Sequence, residues 1–316
     1  MNAPYLVTIG ETMGLLGADV VGPLAHVPSM SLGIGGSESN VAIGVQRLGG
    51  QAVWCGRVGD DSIGALVRRE IQAEGVTARI AVDPDAPTGL MLKERRTATS
   101  QKVAYYRAHS AGSRLSTDDL DAELIANAAV LHLSGITPAL SETAAAAVLD
   151  AIRIARASAV TVSFDLNFRG RLWSREQAAE AYARIVPLVD VVFAGDEEAA
   201  IVVGASDDPA QLAARLAALG PAQAVVKLGH LGAVASVDGE ILRQAAVPIT
   251  PLDTVGAGDA FVAGYLAELM LGSAPAERLG LAALTGAFAC LAPGDWEGLP
   301  RRDELHLLHA TESVTR

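Results

Sequence analysis

Val160 to Ala200 reads VTVSFDLNFRGRLWSREQAAEAYARIVPLVDVVFAGDEEAA. Two short β-branched runs, VTVSFDLN and DVVFAG, flank a polar turn and an alanine-containing helical stretch. AVLHLSG from Ala129 and AVVKLG from Ala224 repeat the theme on either side, each leading into a helix or a turn. Short strands alternating with helices predict an α/β fold built on a doubly wound, mostly parallel sheet. In such sheets ligands sit beyond the carboxyl ends of the strands. The residues there are Asp165 to Arg169, Asp196 to Glu198 and Lys227 to Gly232.

Toward the N-terminus, a first strand over Tyr5–Ile9 ends at Gly10 and Glu11. In GIGGSESNVAIGVQRLGG, Ser37 or Ser39 is placed to cap a helix with Val41, Val45 and Leu48 on one face, stopped by Gly49-Gly50. Gly35-Gly36 reads either as a loop needing positive φ or as backbone that approaches a ligand, with Asn40 reaching toward it. A second strand–turn–helix unit is capped around Asp60 to Ser62. From Pro87 the pattern changes: TGLMLKERR and QKVAYYRAHSAGS predict a β-hairpin. With the apolar stretches before Gly33 it predicts a small, discontinuous β-sheet lid over 12–33 and 87–107. Segments 1–11, 34–86 and 108–316 are then the main domain.

The chain has 316 residues, half of them hydrophobic and 19% charged, which suits a large core and argues against disorder. No apolar run reaches the ~18 residues of a membrane span. The N-terminus enters a strand with no basic n-region, so a cytoplasmic location is expected. Cys55 and Cys290 give neither a disulfide framework nor metal spacing. The net charge of -12 disfavours a nucleic-acid surface but allows an anionic small molecule held by a few local arginines. There is no GxxxxGK[ST], no GxGxxG after the first strand, no HExxH and no GxSxG.

That leaves DTVGAGDAFVAGYL, from Asp253, as the candidate phosphate cradle. A glycine turn feeding a helix start aims unpaired N–H groups and the positive end of the dipole at one spot. Asp259 reads there either as an N-capping residue or as a base beside the anion.

GGSESNVAIGVQRLG, GRVGDDSIG and DTVGAGDAF together resemble the PfkB (ribokinase-like) carbohydrate kinases, and the resemblance covers essentially the full chain. It implies a ribokinase-like fold and ATP-dependent phosphorylation of a sugar hydroxyl. Asp259 would be the base, and Gly256, Ala257 and Gly258 the N–H groups that hold the transferring phosphate. Gly35, Gly36 and Asn40 would meet the sugar; Asn167, Lys227, Gly229 and Gly232 would serve the nucleotide. Many members carry N-x-x-E where this chain has Gly195-Asp196-Glu197-Glu198. Glu198 is thus expected to organise hydrated Mg²⁺ only indirectly. The family often uses a monovalent cation, K⁺, near the phosphate loop. Its lids pair, so a homodimer through the lid is expected.

Within the family, PTGLMLKERR, VAYYRAHSAGS, DLNFRGRLW and GDWEGLP resemble 2-keto-3-deoxygluconate kinases. The group's carboxylate-binding residues would be Arg107 and Arg169, since a planar guanidinium meets a carboxylate bidentately. Tyr105 would pack on the sugar and Asp295 would accept from its hydroxyls. Met91 stands where that group often has tyrosine. Fructokinase is the nearest competing assignment, followed by another sugar or nucleoside kinase and, further off, a non-catalytic sugar-binding regulator.

Overall fold

The computed structural model describes residues 3–97 and 100–309. Residues 1–2, 98–99 and 310–316, parts of the expected main domain and lid, lie outside the described residues. In chain order the strands are β1 (Tyr5–Ile9), β2 (Met13–Ala18), β3 (Met30–Gly35), β4 (Gln51–Gly59), β5 (Thr77–Asp83), β6 (Leu90–Thr97) and β7 (Ser100–Tyr106). They continue with β8 (Val130–Ser134), β9 (Thr161–Asp165), β10 (Val191–Gly195), β11 (Gln223–Lys227), β12 (Ala233–Val237) and β13 (Glu240–Gln244). The helices are α1 (Ser37–Arg47), α2 (Ser62–Ala73), α3 (Ala122–Ala126), α4 (Glu142–Ala157), α5 (Arg175–Ile185) and α6 (Asp196–Val203). α7 (Pro209–Ala217), α8 (Ala257–Met270) and α9 (Pro275–Ala289) complete them.

Nine strands form one sheet in the order β13-β12-β11-β10-β9-β8-β1-β4-β5. Pairing is parallel from β5 to β11, and β12 and β13 extend that edge antiparallel. Along β10, Val192 and Ala194 join one buried cluster with α4, α5 and α7, while Val191 and Phe193 join another with α1, α2 and α8. Burial on both faces is why these strands read as unbroken apolar runs. The strand order reverses at β1, between β4 and β8, which opens a crevice at the carboxyl ends. His132 on β8 is fully buried beside Ser163 Oγ at 3.0 Å, and burial pushes its pKa down to about 3, so it is a neutral core residue.

Four strands form the second sheet, in the order β3-β2-β6-β7. β6 and β7 make the antiparallel hairpin, and β2 pairs in parallel with β6. Met13, Leu15 and Met91 are its small apolar core. β3 runs to Gly35, past the expected edge at position 33, because its ladder with β2 continues to the pair Met13–Gly35.

One close helix contact sets up the site. Gly44 on α1 faces Ala263 on α8 with no room for a Cβ between them. α8 is buried from Asp259 through Ala267, consistent with an all-round apolar sequence. One turn toward the N-terminus from each contact residue lie Asn40 and Asp259, on the same helix faces. Gly44 therefore brings the starts of two helices together.

Candidate active site

The neighbouring helix starts connect through side chains. Ser37 Oγ donates to Asp259 Oδ1 at 2.7 Å, and Asn40 Nδ2 donates to Oδ2 at 2.8 Å. Asn167 Nδ2 in turn donates to Ser37 Oγ at 2.8 Å. All four side chains are buried. Ser37 and Ser39 were candidates for capping α1, but the cap is Gly36 and no side chain caps it. Ser37 turns instead toward Asp259, and Ser39 Oγ bonds Thr12 and the Gly36 carbonyl. Asp259 is not a cap either: α8 begins after Gly256, and no side chain caps it. Of the two readings of Asp259, the geometry leaves a carboxylate held by two donors.

Gly256 is left-handed, with φ 76° and ψ -10°. A Cβ there would also collide with the Asp295 carbonyl oxygen, so glycine is required twice over. Among the described residues the N–H groups of Gly256, Gly258 and Asp259 meet no protein acceptor, and that of Ala257 reaches only the Thr254 carbonyl at 3.4 Å. Asp253 holds this turn by accepting from the N–H of Val255 at 3.0 Å and of Gly294 at 3.4 Å. Free N–H groups at the start of a 14-residue helix make an anion cradle.

Lys227 ends β11 with its Nζ beside Gly258 and donating to Asp165 Oδ2 at 2.6 Å. Burial pushes the Asp165 carboxyl up to about 6, against the pull of Lys227. Burial opposes the Lys227 charge too, but Asp165 and Glu198 outweigh it and raise its pKa. The two form an ion pair, with the Lys227 Nζ next to the cradle. Gly229 and Gly232, at φ 56° and 98°, shape the turn that follows. Gly232 also packs against the chain at Gln244–Ala246 with no room for a side chain.

Among the described residues no cluster of three His, Cys, Asp or Glu side chains could cage a metal. Glu198 places Oε2 on the Gly195 N–H at 2.7 Å and Oε1 on the Phe168 N–H at 2.9 Å. It pins the turn carrying Asn167, which sits at φ 40°. Asp165 Oδ1, in contrast, is buried without a protein partner. The residues present thus fit a metal held mainly by other ligands, with Asp165 and Glu198 as the carboxylates at hand.

A cavity of about 1020 Å³ opens between the two sheets, lined by Gly35, Gly36, Asn40, Asp259, Asp295 and Arg169 among others. Gly35 lies against Met91 and the Asp295 carboxylate, and Gly36 against the Glu11 carbonyl and Thr12. Both approaches are to the protein's own atoms and exclude a side chain, and neither glycine has positive φ, so the loop reading that needed it does not hold. Tyr105 and Arg107 reach the cavity from β7 and the residue after it. Arg107 is not free, however. Its Nε donates to Glu11 Oε2 at 2.7 Å, and Glu11 is almost completely buried. Asp295 forms an ion pair with Lys93 from β6.

The structure thus brings Gly35, Gly36, Asn40, Tyr105, Arg107, Arg169, Asp259 and Asp295 around one cavity. Gly256, Ala257, Gly258, Asn167 and Lys227 stand at its base behind Asp259. Gly229 and Gly232 lie further along the β11–β12 turn, and Glu198 supports from behind. Glu11, Ser37, Lys93 and Asp253 carry the site without having been assigned to it from the sequence. Each lay inside or beside a quoted stretch, Glu11 at the end of the first strand, Ser37 next to Gly35-Gly36, Lys93 in PTGLMLKERR and Asp253 at the head of DTVGAGDAF, but nothing local marked its role.

Residues 3–302 match the pfkB family of carbohydrate kinases. A 2-dehydro-3-deoxygalactonokinase of Haloferax volcanii is 33% identical over 92% of this chain and 92% of its own length. A 2-dehydro-3-deoxygluconokinase of Bacillus subtilis is 34% identical over 95% of this chain and 93% of that protein. A fructokinase of Klebsiella pneumoniae is 34% identical over 96% and 99%. The crystal structure of a PfkB protein from Polaromonas sp. JS666 superimposes with a TM-score of 0.88 at 34% identity, covering 96% of this chain and 99% of that one. A sugar kinase from Pyrococcus horikoshii in complex with ATP gives 0.82 at 26% identity, covering 96% and 97%.

Proposed function

The chain belongs to the pfkB family of carbohydrate kinases, and on that premise we propose that it transfers the γ-phosphoryl group of ATP to the terminal hydroxyl of a sugar acid. The substrate proposed is 2-keto-3-deoxygluconate and the product its 6-phosphate. The observation that carries the chemistry is the Asp259 carboxylate on the cavity wall, borne by the same helix start as the free N–H groups of Gly258 and Asp259. A hydroxyl placed there loses its proton to Asp259 as its oxygen attacks phosphorus. Ser37 and Asn40 keep the carboxylate aimed at that point. The N–H groups and the Lys227 ammonium face the charge that builds on the transferring group, which is where catalysis of phosphoryl transfer gains most. Mg²⁺ bound with the nucleotide would neutralise phosphate charge, and Asp165 and Glu198 would be the carboxylates to hold its water. A K⁺ site by the phosphate loop and a cytoplasmic location belong to the same reading.

The acid is supported by Arg169 and by the paired Lys93 and Arg107 at one cavity in a chain of net charge -12, and by the Bacillus subtilis relative. Fructose is the second reading, favoured by Met91 in place of a tyrosine and by the fructokinase relative. ATP-dependent turnover of 2-keto-3-deoxygluconate, its galacto epimer, fructose, ribose and adenosine separates them; higher kcat/KM on fructose overturns the acid. Asp259→Asn is expected to lower kcat by roughly 10²–10⁴ while leaving the fold intact. Asn40 Oδ1 is buried without a partner, so a flipped Asn40 can accept from the new amide. Near-normal turnover removes Asp259 from the base role. A homodimer through the small sheet is supported by the exposed Leu32 and Tyr106, and a species that sediments as a monomer in analytical ultracentrifugation would contradict it.

A further inference from the structure

We propose that Lys93 determines specificity for anionic substrates by presenting its ammonium to the substrate carboxylate. The inference rests on the sugar-acid reading and deepens it. Met91 and Lys93 are the buried positions of β6 over Leu90–Lys93, and both line the cavity. Met91 lies against Gly35, and Lys93 reaches Asp295, which also lies against Gly35. Lys93 thus hangs from the small sheet over the wall where the sugar is expected.

The number of donors already spent sets it apart from Arg107. The charge of Arg107 is already matched by Glu11, met through Nε and Nη2 in a buried pair. Lys93 has three donors and, among the described residues, spends one, on Asp295. Its side chain is only 8% exposed and lines the cavity, so the other two are left to whatever occupies that space. A donor on a full charge gains most from an acceptor that is itself charged. A sugar hydroxyl that donates to Asp295 makes that gain larger, because it draws the counter-charge away from Lys93. A carboxylate supplies both the acceptors and the compensating charge. A neutral hydroxymethyl group supplies neither.

Gluconate and sorbitol differ only in a carboxylate against a hydroxymethyl group, and their inhibition constants can be read against whichever sugar the enzyme turns over. Wild type is expected to bind gluconate more tightly. Lys93→Met should cut that preference by roughly 10- to 100-fold, the size of one or two charge-assisted hydrogen bonds. Lys93→Arg should keep most of it. If Lys93→Met fails to fold because Asp295 is left buried and unpaired, the double variant Lys93→Met/Asp295→Asn removes both charges and the same ratio is read. Equal weakening of both ligands makes Lys93 a tie between the sheets and overturns the proposal. A wild type that prefers gluconate and a Lys93→Met variant that keeps the preference overturn it alone. A wild type with no preference overturns the acid reading, and this role with it.

Discussion

Replacing Gly256 with alanine tests whether the turn before α8 is the rigid part of the site. Two costs can be separated. A non-glycine residue at φ 76° and ψ -10° adopts the left-handed region at about 1–2 kcal/mol. The new Cβ also falls on the Asp295 carbonyl oxygen, and moving backbone apart in a packed site costs about 1–3 kcal/mol more. Gly256→Ala should therefore lower unfolding free energy by about 2–5 kcal/mol. Gly272 is the internal control: its φ is 75°, but nothing lies within 4 Å of a Cβ there. Gly272→Ala should pay the first cost alone. Urea unfolding of both variants gives the difference, and kcat gives the functional consequence. Only the change at 256 displaces the N–H groups of Gly258 and Asp259, so only that variant should lose turnover. Equal stability losses in the two variants, or full kcat in Gly256→Ala, would refute the reasoning.

Arg107→Ala should lower stability by about 3 kcal/mol as well as raise the KM for an acid, because it leaves the Glu11 carboxylate buried without its counter-charge; an unchanged melting curve contradicts this. Ser37→Ala removes the hydroxyl between Asn167 and Asp259 and should lower kcat by about tenfold with a smaller effect on KM, the loss of one hydrogen bond to a charged group. Asp83 is held below the usual carboxylate range by the Asp85 N–H and, against its burial, by Arg57. Its folded pKa is depressed, so the stability it supplies is present above pH ~4 and lost as pH falls through the folded value. Asp83→Asn should make unfolding free energy less pH-dependent below that point, and an unchanged acid slope argues against the pairing.

What could be read from the chain is what depends on neighbours in sequence. The strands around Val160–Ala200 show themselves as apolar runs because both sheet faces are covered, and the turn at Gly256–Gly258 shows itself because only glycine allows it. The order of helices and strands, the hairpin and the phosphate cradle all follow from such local patterns. The role of Asp259 did not, because a capping aspartate and a base occupy the same place at a helix start. Ser37 and Asp259 are 222 positions apart, and their contact exists only because Gly44 lets α1 approach α8. The same holds for charge. Arg107 reads as a cation for a carboxylate until Glu11, 96 positions away, is found beside it, and nothing along the chain pairs Lys93 with Asp295 until β6 closes over it. The amino-acid sequence alone determined the fold class, through local periodicity, and its motifs carried the resemblance to a family of carbohydrate kinases. Which charges are spent on the protein and which face the substrate was decided only by the tertiary structure, since ion pairing depends on distance in space and leaves no periodic trace along the chain.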